Sequence, residues 1–155
     1  MLALLLLLQI TADPPFSPAI LNLQRVLAES VEGKALVAKF ESARMEHEKT
    51  LSTKRGEIQT LIEKKATAAT VERSQVELKR MTEDAEMQLT DLQRALRLDF
   101  FKKVEPLAIQ IVSEEKLGIL FTFPNPNIIW TGPTVDITGK LIQRLDATNK
   151  KAPPQ

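Results

Sequence analysis

Apolar residues recur along the middle of the chain in steps of three, four or seven: Leu36, Phe40, Ala43, His47 (in an apolar slot), Leu51, Ile58 and Ile62. A second series runs Leu78, Met81, Ala85, Leu89, Leu92, Leu96, Phe100, Val104, Leu107 and Ile111. Each is the one-sided stripe of an amphipathic helix. Two such stripes fit one long helix in a parallel coiled coil or two helices folded back on each other. Pairing positions whose numbers add to about 136 sets Leu36 against Phe100, Phe40 against Leu96, His47 against Leu89, Leu51 against Ala85 and Ile58 against Leu78. This favours an antiparallel hairpin over residues 31–115. Its turn is predicted near Ala66–Thr70, with Thr70 as the new N-cap.

The flanks have a different pattern. Ser30 can cap the first long helix, and Glu32 in its first turn suits the positive end of the helix dipole. Before it, Ala19–Leu23 reads as a strand and Gln24–Glu29 as a turn of helix at most. After the long helical tract, Ile119–Gly132 (ILFTFPNPNIIWTG) reads as a β-hairpin with strands at Gly118–Phe123 and Asn127–Thr131. Two strands are marginal in water, so further strands or a helix must cover them. Asp136 can cap a last helix carrying Ile137, Leu141, Ile142 and Leu145 at helical spacing. The body is thus expected from residues 13–30 and 116–149, with 150–155 a disordered tail. Gly56 reads either as a soft point in the arm or as a tolerated surface glycine, and Pro106 as an interruption that re-aims the returning helix.

The chain opens on Leu2–Leu8 (LALLLLL), then Gln9-Ile10-Thr11-Ala12 and Asp13-Pro14-Pro15. This is the layout of an export signal over residues 1–12, although no basic residue precedes the apolar run, and it is too short for a transmembrane anchor. The mature chain would begin near Asp13, in an extracytoplasmic compartment.

Charged residues make up 26% of the chain and aromatics 5%, lean for a globular core of 155 residues and suited to an elongated helical protein. With 21 Lys and Arg against 20 Asp and Glu, net charge argues against a nucleic-acid binder, so any charge effect is local. Between Lys54 and Arg80 seven bases (Lys54, Arg55, Lys64, Lys65, Arg73, Lys79, Arg80) face four acids (Glu57, Glu63, Glu72, Glu77). A basic arm tip is expected, able to attract acidic polypeptides or, weakly, anionic lipid headgroups. Met45, Met87 and Leu98 lie off the seam, where flexible apolar side chains suit promiscuous contact.

Catalytic machinery is hard to build from these residues. His47 is the only histidine, no metal ligand or general base shares its face, and there is neither a cysteine nor a Gly-rich phosphate loop. A non-enzyme without metal or cofactor is expected.

In order and spacing, a strand followed by Leu23-Gln24-Arg25-Val26-Leu27 and Ser30-x-x-Gly33, a long charged hairpin, Gly118-Ile119-Leu120-Phe121, then Val135-Asp136-Ile137-Thr138 with Leu141-Ile142-x-Arg144-Leu145, resembles the Skp/OmpH family of periplasmic chaperones. The resemblance implies an α+β, mostly helical fold, with the antiparallel helical arm projecting from a small β body that is completed by trimerisation. It also implies an ATP-independent holdase that keeps unfolded outer-membrane proteins in a cavity between the arms of a homotrimer. Residues expected to build the shared body are Ile20, Leu21, Leu23, Ile119, Phe121, Phe123, Ile129 and Trp130. A second reading is a structural coiled-coil spacer or tether in the cell envelope, which needs only the coil and not the β-forming ends.

The antiparallel register is directly testable. Cysteines placed at Phe40 and Leu96 are expected to cross-link within one chain under mild oxidation, whereas a parallel coil would join like positions between chains.

Overall fold

The computed structural model describes residues 17–123 and 133–151. In order these form β1 (Pro18–Asn22), α1 (Leu23–Glu29), α2 (Val31–Glu63), α3 (Ala68–Glu114), β2 (Ile119–Phe123), β3 (Val135–Asp136) and α4 (Thr138–Lys151). At 1.5 Å per residue, α2 is about 50 Å long and α3 about 70 Å. The fold is α+β and mostly helical.

The two long helices pack against each other as an antiparallel arm. Its seam buries Leu51, Ile58, Ala85, Leu96 and Phe100, while Ile62, at the end of the predicted stripe, is exposed. Glu32 meets Lys103 near the root and Lys54 meets Glu77 farther out, two pairs whose numbers total 135 and 131, close to the predicted register. The reversal is shorter and earlier than expected. Lys64 ends α2, Lys65 adopts a left-handed backbone with φ of 55°, and Thr67 caps α3 by accepting from the Thr70 amide. Thr70 is therefore inside the helix, because a single left-handed residue suffices to turn the chain.

Pro106 does not interrupt α3, which runs through it to Glu114. Proline removes one amide donor, but both Pro106 and Lys102, four residues back, are exposed, so water can satisfy the freed carbonyl. The opposite face, with Val104, Ala108 and Ile111 buried, holds the helix in place.

The described strands pair in parallel, an arrangement that the sequence pattern does not predict. β1 is central, in the order β2-β1-β3, and both neighbours run parallel to it. The register sets Ala19 beside Leu120 and Val135, and Ile20 beside Phe121 and Asp136. The expected strand at Asn127–Thr131, the leader over 1–12 and most of the 150–155 tail lie outside the described residues. Leu23, placed in the first strand by the sequence, instead starts α1, whose seven residues make nearly two turns. Asn22 explains the switch, since its side-chain oxygen accepts from the Arg25 amide and caps α1.

One sheet face meets the helices. Ala19 and Leu21 point into a core with Val26, Phe100, Val104, Ala108, Ile111, Ile137, Leu141 and Leu145. Hydrogen bonds to the buried Thr138 tie the layers together: the Asn22 amide donates to Thr138 Oγ1, and the Asp136 carboxylate accepts from the Thr138 amide. Asp136 thus supports the start of α4 from the end of β3, one residue before the cap position, because the helix begins at Thr138 and Ile137 lies before it.

Ser30 closes α1 and opens α2, and its hydroxyl accepts from the Gly33 amide. Asp146 of α4 accepts from the Val31 amide, so two of the unpaired amides at the start of α2 are satisfied. Gly33 itself lies under the α1 backbone. A Cβ there would overlap the Leu27 carbonyl oxygen and come within 2.6 Å of Leu27 C and Cα.

Two outcomes follow from these contacts. Gly33→Ala is expected to destabilise the body by about 1–3 kcal/mol, because backbone rather than a flexible side chain must move. Gly56→Ala, where nothing lies within 4 Å of the added carbon, is expected to stabilise the arm by up to about 1 kcal/mol. Thermal unfolding at fixed protein concentration separates the two. On pH, a hydrogen bond to Thr138 holds Asp136 below the usual carboxylate range, and hydrogen bonds to Arg144 and Arg25 do the same for Glu114 and Glu29. Depressed carboxylates stabilise the fold above their unfolded pKa values and lose that contribution as pH falls through the folded ones. Stability is therefore expected to decline below about pH 4, and less steeply in Asp136→Asn than in the parent, as read by denaturant midpoints across pH.

Candidate functional site

Three surfaces stand out once the arm and body are in place. The first is the face of the sheet turned away from the core. Alternate residues of a strand share a face, and the register puts Ile20, Ile119, Phe121 and Phe123 together on the outer one. Ile20 and Phe121 are half-buried, whereas Ile119 and Phe123 are exposed. Of the residues expected to build a shared body, these four lie together on the outer apolar face. Leu21 does not join them, because it points inward and is buried in the chain's own core. Leu23 is on α1, and Ile129 and Trp130 lie outside the described residues.

The second surface is a groove of about 550 Å³ at the root of the arm, where α1 crosses α2 and α3. Leu23, Leu27, Leu36, Phe40, Leu96 and Phe100 line it, and Arg97 stands at its edge with its guanidinium carbon 5.7 Å from the centre of the Phe101 ring. The sequence pattern pairs Leu36 with Phe100 and Phe40 with Leu96, and all four line this groove. It gives no sign that the groove stays open beside α1.

The third is the arm tip, and here the seven bases divide. Lys54 bridges the helices to Glu77 at 2.7 Å and also reaches Glu57 at 3.4 Å. Its hydrogen bond to Glu77 raises its pKa. Arg55 pairs with Glu48 at 2.9 Å and Lys79 with Glu83 at 3.9 Å. Lys64, Lys65, Arg73 and Arg80 form no ion pair among the described residues, and all four are exposed. The basic character of the tip is thus carried by these four, while Lys54 helps to hold the arm closed. Spacing alone did not separate the two groups, because the decisive neighbour of Lys54 lies on the other helix.

Met45, Met87 and Leu98 all project into solvent, as their off-seam positions predict. His47 is half-buried towards the seam. Among the described residues no group of three or more His, Cys, Asp or Glu side chains could hold a metal ion. Among the same residues no helix is long and apolar enough to cross a membrane.

Comparison with known proteins agrees with this arrangement. No curated protein matches the chain. The chain resembles the solved structure of a candidate outer membrane chaperone (OmpH-like) from Caulobacter crescentus CB15, with a TM-score of 0.58 and 18% identity over 92% of each chain. At that identity the likeness establishes the fold. The family profile described as outer membrane protein (OmpH-like) matches residues 18–145, which run from the start of β1 into α4 and include the whole arm. With arm, body and their order accounted for, the chain belongs to the OmpH-like family.

Proposed function

We propose that this protein is an ATP-independent holdase chaperone of the periplasm, which binds unfolded outer-membrane proteins between the arms of a homotrimer and keeps them from aggregating. The observation that carries this reading is the pairing of a long projecting arm with a body whose sheet has an apolar outer face, with Ile119 and Phe123 exposed beside the half-buried Ile20 and Phe121. A spacer or tether needs the coil alone. A clamp needs several arms fixed around one space, and a shared body is the means of fixing them. Family membership and the likeness to an OmpH-like candidate chaperone support the same reading.

The arm suits enclosure. It carries exposed apolar side chains, Met45, Met87 and Leu98 among them, but no contiguous apolar patch made by these three, so each contact with a client is weak. Retention then comes from many contacts made at once by several arms. The free bases at the tip add attraction at a distance without fixing a binding mode.

Light scattering of the mature protein is expected to give the mass of a trimer, and a stable monomer would overturn the assembly. Deleting the outer arm from Leu51 to Ala85 is expected to abolish protection of an unfolded outer-membrane barrel protein from aggregation while leaving the trimer intact. Protection that survives the deletion would favour the spacer. Reversing Lys64, Lys65, Arg73 and Arg80 to Glu is expected to slow client capture in stopped-flow mixing, most strongly near 0.01 M salt, where the Debye length is about 30 Å.

A further inference from the structure

The exposed apolar residues of α3 are regularly placed. Val76, Met87, Leu98 and Ile109 are between 47% and 59% exposed, and each follows the last by eleven residues. Eleven residues make almost three whole turns, so each step rotates only about 20° and rises about 16.5 Å. The four side chains therefore form a nearly straight line of about 50 Å along the helix. Two positions on from each, about 200° round the helix, come Leu78, Leu89, Phe100 and Ile111, which face the seam or the core. The line thus points directly away from the packed face and is not an outer margin of the seam.

The residues between the apolar ones are also ordered. The positions four and seven beyond each apolar residue lie beside the line, within about 40°. They are Arg80 and Glu83, then Asp91 and Arg94, then Lys102 and Glu105, all exposed. These two flanking positions hold one base and one acid in each gap, and the whole stretch 76–109 holds six bases against seven acids.

We infer that this line is the surface along which α3 holds its client, and that the occupant is an unfolded polypeptide in extended form, read by its apolar side chains irrespective of its net charge. The inference rests on the holdase reading above and assigns the residues. A second copy of the helix does not fit: a helix–helix seam needs an apolar residue every three or four positions, and these stand eleven apart with charged residues between them. An anionic membrane does not fit either, since a stretch with six bases and seven acids gives it no net attraction. Extended chain does. A spacing of about 16.5 Å corresponds to five residues at 3.3 Å each, and five is odd, so successive contacts fall on opposite faces of a flat strand. Only a chain free to turn between contacts can use the whole line, which favours an unfolded polypeptide over a formed β-strand.

The test uses the full mature protein and, as probe, a labelled outer-membrane barrel protein unfolded in urea and diluted into buffer. Replacing Val76, Met87, Leu98 and Ile109 together by Gln, a good helix former, is expected to raise the probe's Kd at least about tenfold, with each single change giving about two- to threefold. A photo-cross-linker at Met87 or Leu98 is expected to capture the probe, and one at the exposed Ser52 on α2 is not. Probe affinity of the parent protein is expected to change less than about threefold between 0.01 and 0.15 M salt, over which the Debye length falls from about 30 to 8 Å. A quadruple variant that binds like the parent, or cross-linking as strong from Ser52, would overturn the assignment and leave the holdase reading standing. A steep salt dependence of affinity would move retention to the basic tip. Failure of the parent protein itself to bind the probe would remove both readings.

Discussion

Everything the arm does depends on how it leaves the body, and that is set where Leu27 crosses Gly33. The α1 backbone lies so close to α2 that no side chain fits between them. Ser30 joins the two helices there, ending one and capping the next, and Asp146 holds the first amide of α2 from the far side. A lever about 50 Å long turns small angular errors at its root into large displacements at its tip. A backbone contact between Leu27 and Gly33, with hydrogen bonds from the Gly33 amide to Ser30 and from the Val31 amide to Asp146, is what keeps that angle narrow.

From this root the molecule divides into two kinds of packing. In the body, Ala19, Leu21, Val26, Ile111, Ile137 and Leu141 come from four elements and the link from β3 to α4, and are almost wholly buried. In the arm, each layer is two side chains deep and the buried residues are few, Leu51, Ile58, Ala85 and Leu96. Cross-helix ion pairs such as Lys54–Glu77 contribute little each at an exposed site. The arm is therefore the less stable part, in keeping with a region that must accommodate varied partners, and the body is the fixed frame.

Much of this was legible in the sequence, because long amphipathic helices write their period over many residues. The seam residues, the antiparallel register, the Ser30 cap and the last helix all follow from spacing and capping rules. The sheet was less legible. Ile119–Phe123 reads as one half of a hairpin, since Pro-Asn-Pro-Asn follows it, yet its described partner is Pro18–Asn22, in parallel. Strand period is the same for parallel and antiparallel pairs, so pattern alone cannot choose a partner a hundred positions away. Thr67 rather than Thr70 caps α3 because Lys65 accepts a left-handed backbone that its side chain does not advertise. The division of the basic tip into paired and free residues likewise needed the second helix to be in place.

The parallel pairing of β1 with β2 has a consequence for how the chain reaches this state. The 96 residues 23–118 lie between the two strands. Closing so long an excursion costs chain entropy before any strand pairing rewards it, whereas the arm forms from contacts between neighbours around a tight turn. Folding of the arm first shortens the effective loop, because a completed hairpin returns Val104 and Ile111 to the place where Val26 waits. The arm that reaches outward in the finished protein is then also the device that brings the two ends of the sheet together during its formation.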